Sequence, residues 1–136
     1  DWFFAVDMAV YHTTGLSVKV PIVPDAFLSL GVERRKGGDS RKSYAVWEEE
    51  GIVPTVVLEM VSNTYNDEYD EKLDAYARLG VRYCVIYNPK YWRGLQHQPF
   101  EVYKLVGCLS VPDWRTLLDG RRRAGHWPTS AVGGWH

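Results

Sequence analysis

The chain has 136 residues, 46% of them hydrophobic and 24% charged, which is the balance of one globular domain, too short for two. A net charge of −1 excludes a global field that would draw it to nucleic acid or acidic membranes, so any polyanion must meet a local basic patch. No apolar stretch reaches transmembrane length, and no signal peptide is recognised. Cys84 and Cys108 have no CxxC spacing, so a disulfide framework, structural zinc and membrane insertion are not expected, and the cytoplasm is the default location. The first residue is Asp1 rather than Met, and a strand-like run follows at once, so a missing N-terminal segment is expected.

In chain order, Trp2 to His12 is apolar and aromatic, interrupted by Asp7, and reads as a first strand. Gly15 marks a turn, and Val18 to Val23 reads as a short extended return. Pro24-Asp25 leads into Ala26 to Val32, a second substantial strand. The polar stretch Glu33 to Arg41, carrying Arg34, Arg35, Lys36 and Arg41 with Lys42 just beyond, reads as a mobile loop. Ser43 to Glu50 predicts a short helix anchored by Trp47 and stopped by Gly51.

Pro54 to Ser62 then has the composition of a strand buried on both faces, except for Glu59. Ser62-Asn63-Thr64 supplies N-cap chemistry, and Tyr65 to Leu79 predicts the strongest helix. Its first half is acidic, Tyr69, Leu73, Tyr76 and Ala77 form an inward stripe, and Gly80 stops it. Arg82 to Tyr87, containing a buried Cys84, is another strand. The strand–helix–strand spacing predicts a parallel crossover. Phe100 to Leu105 alternates as a last, edge strand, and beyond Gly107 the pattern fades. This divides the chain into a domain over 1–106 and a tail over 107–136 with little core to contribute.

An ionised Glu59 inside such a strand is costly unless a cation, a metal or several donors compensate it. It is either a structural ion-pair partner or a metal ligand or acid at the mouth of a sheet. Asp25 reads alone as turn chemistry after a proline. A place on a strand that could neighbour the Glu59 strand makes it a candidate second ligand. Lys72 borders the inward helix stripe, where it either pairs with Glu68 in solvent or reaches back over the end of the Glu59 strand. Two carboxylates and a lysine form a hydrolytic set: the acids hold a divalent cation and the lysine orients the attacking water. His12, His97, His126 and His136 are scattered and offer no competing cluster.

Pro24-Asp25, Val53 to Ser62, and Glu71 to Val81 together resemble the Uma-type putative restriction endonuclease family of the PD-(D/E)xK nuclease superfamily. Trp47 to Ile52 and Tyr83 to Pro89 match the same pattern, and the likeness covers roughly 1–106. The resemblance implies an α/β, restriction-endonuclease-like mixed β-sheet core flanked by helices, with the N-terminal helical region of such folds missing. It implies magnesium- or manganese-dependent hydrolysis of DNA phosphodiester bonds, with Asp25 and Glu59 as metal ligands and Lys72 as the third catalytic group. Related nucleases pair to cut both strands, so a homodimer is one expectation. Three positions depart from the family: Val61 stands where the usual lysine would be, Thr55 where an Asp is frequent, and the sequence after about Gly107 diverges. The first two, together with the missing N-terminal region, favour the alternative of a catalytically inactive nuclease-fold binding or interaction module. For a DNA surface the candidates are Arg34, Arg35, Lys36, Arg41, Lys42, Lys90 and Arg93, whose phosphate contacts would be salt-sensitive and blind to sequence.

Overall fold

β-Branched and aromatic runs build one six-stranded mixed sheet in a computed structural model that describes residues 1–15, 17–61, 71–90 and 98–106, with the backbone of 114–119. The strands are β1 (Trp2–Val6), β3 (Ala26–Leu30), β5 (Val56–Met60), β6 (Tyr83–Tyr87), β7 (Phe100–Leu105) and β8 (Trp114–Asp119), adjacent in that order. A parallel pair of β2 (Val10–Tyr11) and β4 (Tyr44–Ala45) stands apart from it. Helix α1 (Glu71–Leu79) lies in sequence between β5 and β6, which pair in parallel from Val56 with Tyr83 to Met60 with Tyr87. All other pairings in the large sheet are antiparallel, which makes this an α/β protein with a mixed sheet.

Period-two alternation separates the sheet into two faces. One carries Phe3, Phe27, Val57, Cys84 and Ile86 into a core shared with Leu73, Tyr76 and Leu79 of α1. The other presents Trp2, Phe4, Val6, Leu30, Met60, Tyr87 and Phe100, all exposed. Gly80 ends α1 in the left-handed region at φ +94°, and its N–H closes the last turn on the Tyr76 carbonyl.

Several sequence expectations are revised. The run from Trp2 to His12 is two strands, because Asp7 takes φ +49° and turns the chain out of the large sheet. Val18 to Val23 contributes a single antiparallel bridge, Ile22 to Val10, rather than an extended return. Ser43 to Glu50 forms β4 and one turn of 3₁₀-helix over Val46–Glu48. Its anchor is the fully buried Tyr44, whose hydroxyl donates to the Ile52 carbonyl at 2.8 Å, whereas Trp47 is half exposed. The Glu59 strand is deeply buried on one face only, since Met60 is exposed. Phe100–Leu105 is an interior strand, because β8 pairs along its far side and carries the sheet into the segment read as a tail. The cap at Ser62-Asn63-Thr64, the first half of the long helix with Tyr69, and Cys108, Arg93, His97, His126 and His136 lie outside the described residues.

Arg41 is the largest departure in the basic loop. Its side chain is 3% exposed and forks onto Glu49, with Nε to Oε1 at 2.7 Å and Nη2 to Oε2 at 3.0 Å. Its guanidinium stacks over the Phe3 ring at 4.4 Å, and Phe3, Phe27 and Tyr44 form an aromatic cluster beneath it. The Arg41 hydrogen bonds hold the Glu49 carboxyl below its ordinary value of 4.5. A depressed carboxyl stabilises the fold above the unfolded-state value and ceases to do so as pH falls through its folded value. Arg41→Ala is therefore expected to cost about 3 kcal/mol at neutral pH, because it strands the nearly buried Glu49 with only Lys36 at 3.7 Å. Urea titrations at pH 7 and pH 3 check this: the penalty shrinks in acid, and Arg41→Lys recovers little of it, since an ammonium cannot reproduce the fork.

Candidate active site

Asp25 sits immediately before β3, and its backbone and side chain are both engaged. Its carbonyl accepts the Asp7 N–H at 3.0 Å, and its Oδ2 accepts the Met60 N–H at the end of β5. The β3–β5 register pairs Ala26 with Leu58, so one further step sets Asp25 across from Glu59. Directly opposed residues share a face of a sheet, so the two acids belong to the face that α1 covers. Pro24 is fully buried and fixes the entry of the chain into this corner.

Glu59 has no solvent exposure, and α1 supplies both of its side-chain partners. Lys72 Nζ donates to Oε2 at 2.8 Å, and the Tyr76 hydroxyl donates to Oε1. Lys72 and Tyr76 are four residues apart, so one helical face delivers an ammonium and a phenol to the same carboxylate. Burial pushes the Glu59 carboxyl above its ordinary 4.5. The Lys72 and Tyr76 hydrogen bonds oppose that rise, while the Asp25 charge adds to it. Burial likewise pushes the Tyr76 hydroxyl up, with the Glu59 charge reinforcing it, so Tyr76 stays a proton donor here. Behind them the Cys84 thiol is also pushed up, first by burial and then by Glu59, as suits a small core residue rather than a nucleophile.

Lys72 thus takes the inward of its two sequence readings, and its side chain remains about one-third exposed (34%) at the rim. Tyr76 was legible only as a core residue of the helix stripe. The signal for more was its spacing of one turn from Lys72 above a buried acid. Glu101 is a second buried acid that the sequence did not single out. It lies in the same cross-sheet row as Glu59, with Ile86 between them, and accepts the Gln98 N–H and the Tyr103 hydroxyl. Two strand spacings of about 4.8 Å separate it from Glu59, too far for both to hold one ion. Among the described residues, no group of three or more His, Cys, Asp or Glu side chains is placed to hold a metal.

The basic loop starts from the opposite end of β3 to these acids. It leaves β3 beyond Leu30, while Asp25 stands at the other end, about 17 Å away by strand rise. Arg41 is buried on Glu49, Lys36 pairs with Glu48 at 3.4 Å, and Arg34 stacks on Trp2 at 5.3 Å. Lys90, by contrast, follows β6 at the end where Tyr87 pairs with Met60, and is exposed on the same end of the sheet as Glu59. His12 is buried and bonded to Thr14 at 2.9 Å. Burial, then the nearby Arg78, lowers its pKa, consistent with a packed neutral imidazole.

No helix among the described residues is long and apolar enough to cross a membrane. Comparison with known proteins finds no matching curated protein and no matching solved structure. A family model does match, described as a putative restriction endonuclease and named Uma2, and it spans residues 1–120 and so includes β8. On that match, which covers most of the chain and every element of the sheet, the protein belongs to the Uma2 family of putative restriction endonucleases.

Proposed function

We propose that this chain is a metal-dependent nuclease with a restriction-endonuclease-like core that hydrolyses DNA phosphodiester bonds, using Asp25, Glu59 and Lys72. The observation that carries the reading is Lys72 Nζ on the carboxylate of a fully buried Glu59, across one register step from Asp25. Family membership supports nuclease chemistry, and the donor set supports magnesium or manganese. Magnesium takes one or two carboxylates and keeps waters and phosphate oxygens for its other positions, so a two-acid site suits it better than a protein-only cage. Held between Asp25 and Glu59, such an ion would offset charge on a phosphate and lower the pKa of water.

The chain's own groups divide the remaining work. Tyr76 and Lys72 each occupy one Glu59 oxygen, and a carboxylate offers about four acceptor positions, so both oxygens keep capacity for a cation. The Met60 N–H fixes Oδ2 of Asp25 at the end of β5, next in sequence to Glu59. Lys72 has three donors and a partly exposed head, so it can keep its hold on Glu59 while another N–H meets a phosphate oxygen or the attacking water. Lys90 at the same end offers a phosphate contact for the DNA backbone.

A second reading has its own support. Lys72 and Tyr76 already satisfy Glu59 without a metal, as a structural triad in an inactive nuclease-fold binding module would require. Magnesium calorimetry and cleavage of supercoiled DNA separate the two. On the nuclease reading, magnesium binds the parent and is lost in Asp25→Asn. Glu59→Gln and Lys72→Met each slow nicking by about two orders of magnitude or more. If Glu59→Gln protein nicks DNA at the parent rate, the acids have no catalytic role.

The raised Glu59 carboxyl gives a second prediction, with its sign fixed. Proton and cation compete for the carboxylate, so magnesium affinity falls on acidification at a pH above the ordinary Glu value of 4.5. Because Lys72 holds the Glu59 pKa down, Lys72→Met moves that loss to higher pH. Titration calorimetry across pH 4.5 to 8 reads both effects, and a pH-independent affinity would contradict them.

A further inference from the structure

Lys72 and Tyr76 sit one turn apart on α1 and reach the same carboxylate from different depths. The Tyr76 ring lies in the core with Val57, Cys84 and Ile86, has no solvent exposure, and gives its hydroxyl to Oε1 of Glu59. Lys72 stands at the rim, 34% exposed, and gives an N–H to Oε2 at 2.8 Å. The two oxygens keep lone pairs but differ in access: Oε1 has a fully buried donor, and Oε2 a donor that solvent reaches. Asp25 is held in a related way, because its Oδ2 accepts the Met60 N–H, a main-chain donor at the end of β5. Each acid thus has one oxygen engaged by a donor that packing or the main chain keeps in place.

We propose that Tyr76 is a positioning residue that sets the cation preference of this corner. By keeping Oε1 on the core side, it presents Glu59 as a ligand through Oε2 alone, which suits magnesium or manganese and works against calcium. The inference rests on the magnesium reading above and goes beyond it, since that reading needs the two acids and Lys72 but not the phenol.

Magnesium is small, demands near-ideal octahedral geometry, and takes one or two carboxylates with water and phosphate oxygens in its other positions. Calcium takes about six to eight oxygens, tolerates irregular geometry, and draws on carboxylates that offer both of theirs. Glu59 cannot swing to offer both oxygens without breaking the Tyr76 hydrogen bond, and a buried phenol left without an acceptor is costly. Selectivity is a difference of two affinities, and this cost falls on calcium alone. The same tether keeps Glu59 in place when Lys72, at the rim, turns one of its donors toward a phosphate.

Calorimetric titration of the full chain with magnesium and, separately, with calcium reads the preference without any substrate. Tyr76→Phe keeps the ring and removes the hydroxyl, and is expected to shift the ratio of the two dissociation constants toward calcium by about fivefold or more. Lys72→Met removes the rim donor and should leave that ratio within about twofold of the parent's. Leu79→Ala loosens the packing of α1 but spares the hydroxyl, so it too should leave the ratio alone, which separates positioning from a general loss of structure. Should Tyr76→Phe fail to fold, the parent supplies the answer: a manganese-soaked crystal, read by anomalous density, is expected to show the ion on Oε2 with Oε1 still on the Tyr76 hydroxyl. A parent that binds neither cation ends the magnesium reading, and this inference with it. If the parent binds magnesium, then a ratio unmoved by Tyr76→Phe, a ratio moved as far by Leu79→Ala, or an ion held by both Glu59 oxygens overturns the role of Tyr76 and leaves the nuclease reading standing.

Discussion

A carboxylate placed where water cannot reach it organises this molecule. Glu59 is fully buried in β5, and an uncompensated charge there would be expelled by protonation or by unfolding. α1 resolves the problem by directing Lys72 and Tyr76 onto the two carboxyl oxygens. The helix is therefore held to the sheet by Leu73, Tyr76 and Leu79 packing on Val57, Cys84 and Ile86, and also by a polar clamp that fixes its rotation and its axial position. A helix turned by one residue would lose both donors and leave the acid alone in the core.

The same constraint reaches Asp25 through the strand ladder. Met60, next to Glu59, gives its N–H to the Asp25 carboxylate, and the Asp25 carbonyl accepts from Asp7. Three consecutive elements of the sheet thus meet at one corner, and the acids they carry lie on one face. Sites built on strands and a helix are held more tightly than sites on loops, because packing on both sides limits each side chain to few rotamers. The price of that order is a core carboxylate, which gains its stability from partners a functional site can also use.

Away from that corner, a second polar arrangement has a different role. Arg41 and Glu49 form a forked pair over the Phe3, Phe27 and Tyr44 rings, which ties the basic loop and the 3₁₀ turn to the edge of the sheet. An arginine that sequence composition assigns to solvent or to DNA is instead a packing element. The stem lies on aromatic carbon and the planar head is satisfied by a carboxylate, a combination that only the fold can assemble.

The sequence by itself determined the local structure of the site: the strand around Glu59, the glycine that ends α1, the inward stripe of Leu73, Tyr76 and Ala77, and the parallel crossover that places β6 beside β5. These follow from near-neighbour periodicity, which a linear reading captures. Motif likeness carried the family, and the matched model agrees. Tertiary structure alone decided which of two cations served which acid, that Tyr76 joins Lys72 on Glu59, that Arg41 is buried, and that Tyr44 rather than Trp47 anchors the turn. It also set β8 beyond β7 and left β1 at the margin. Strand order, and the approach of groups tens of residues apart, come from closing loops between hydrophobic segments. Many closures share one local pattern, and only the packed core selects among them.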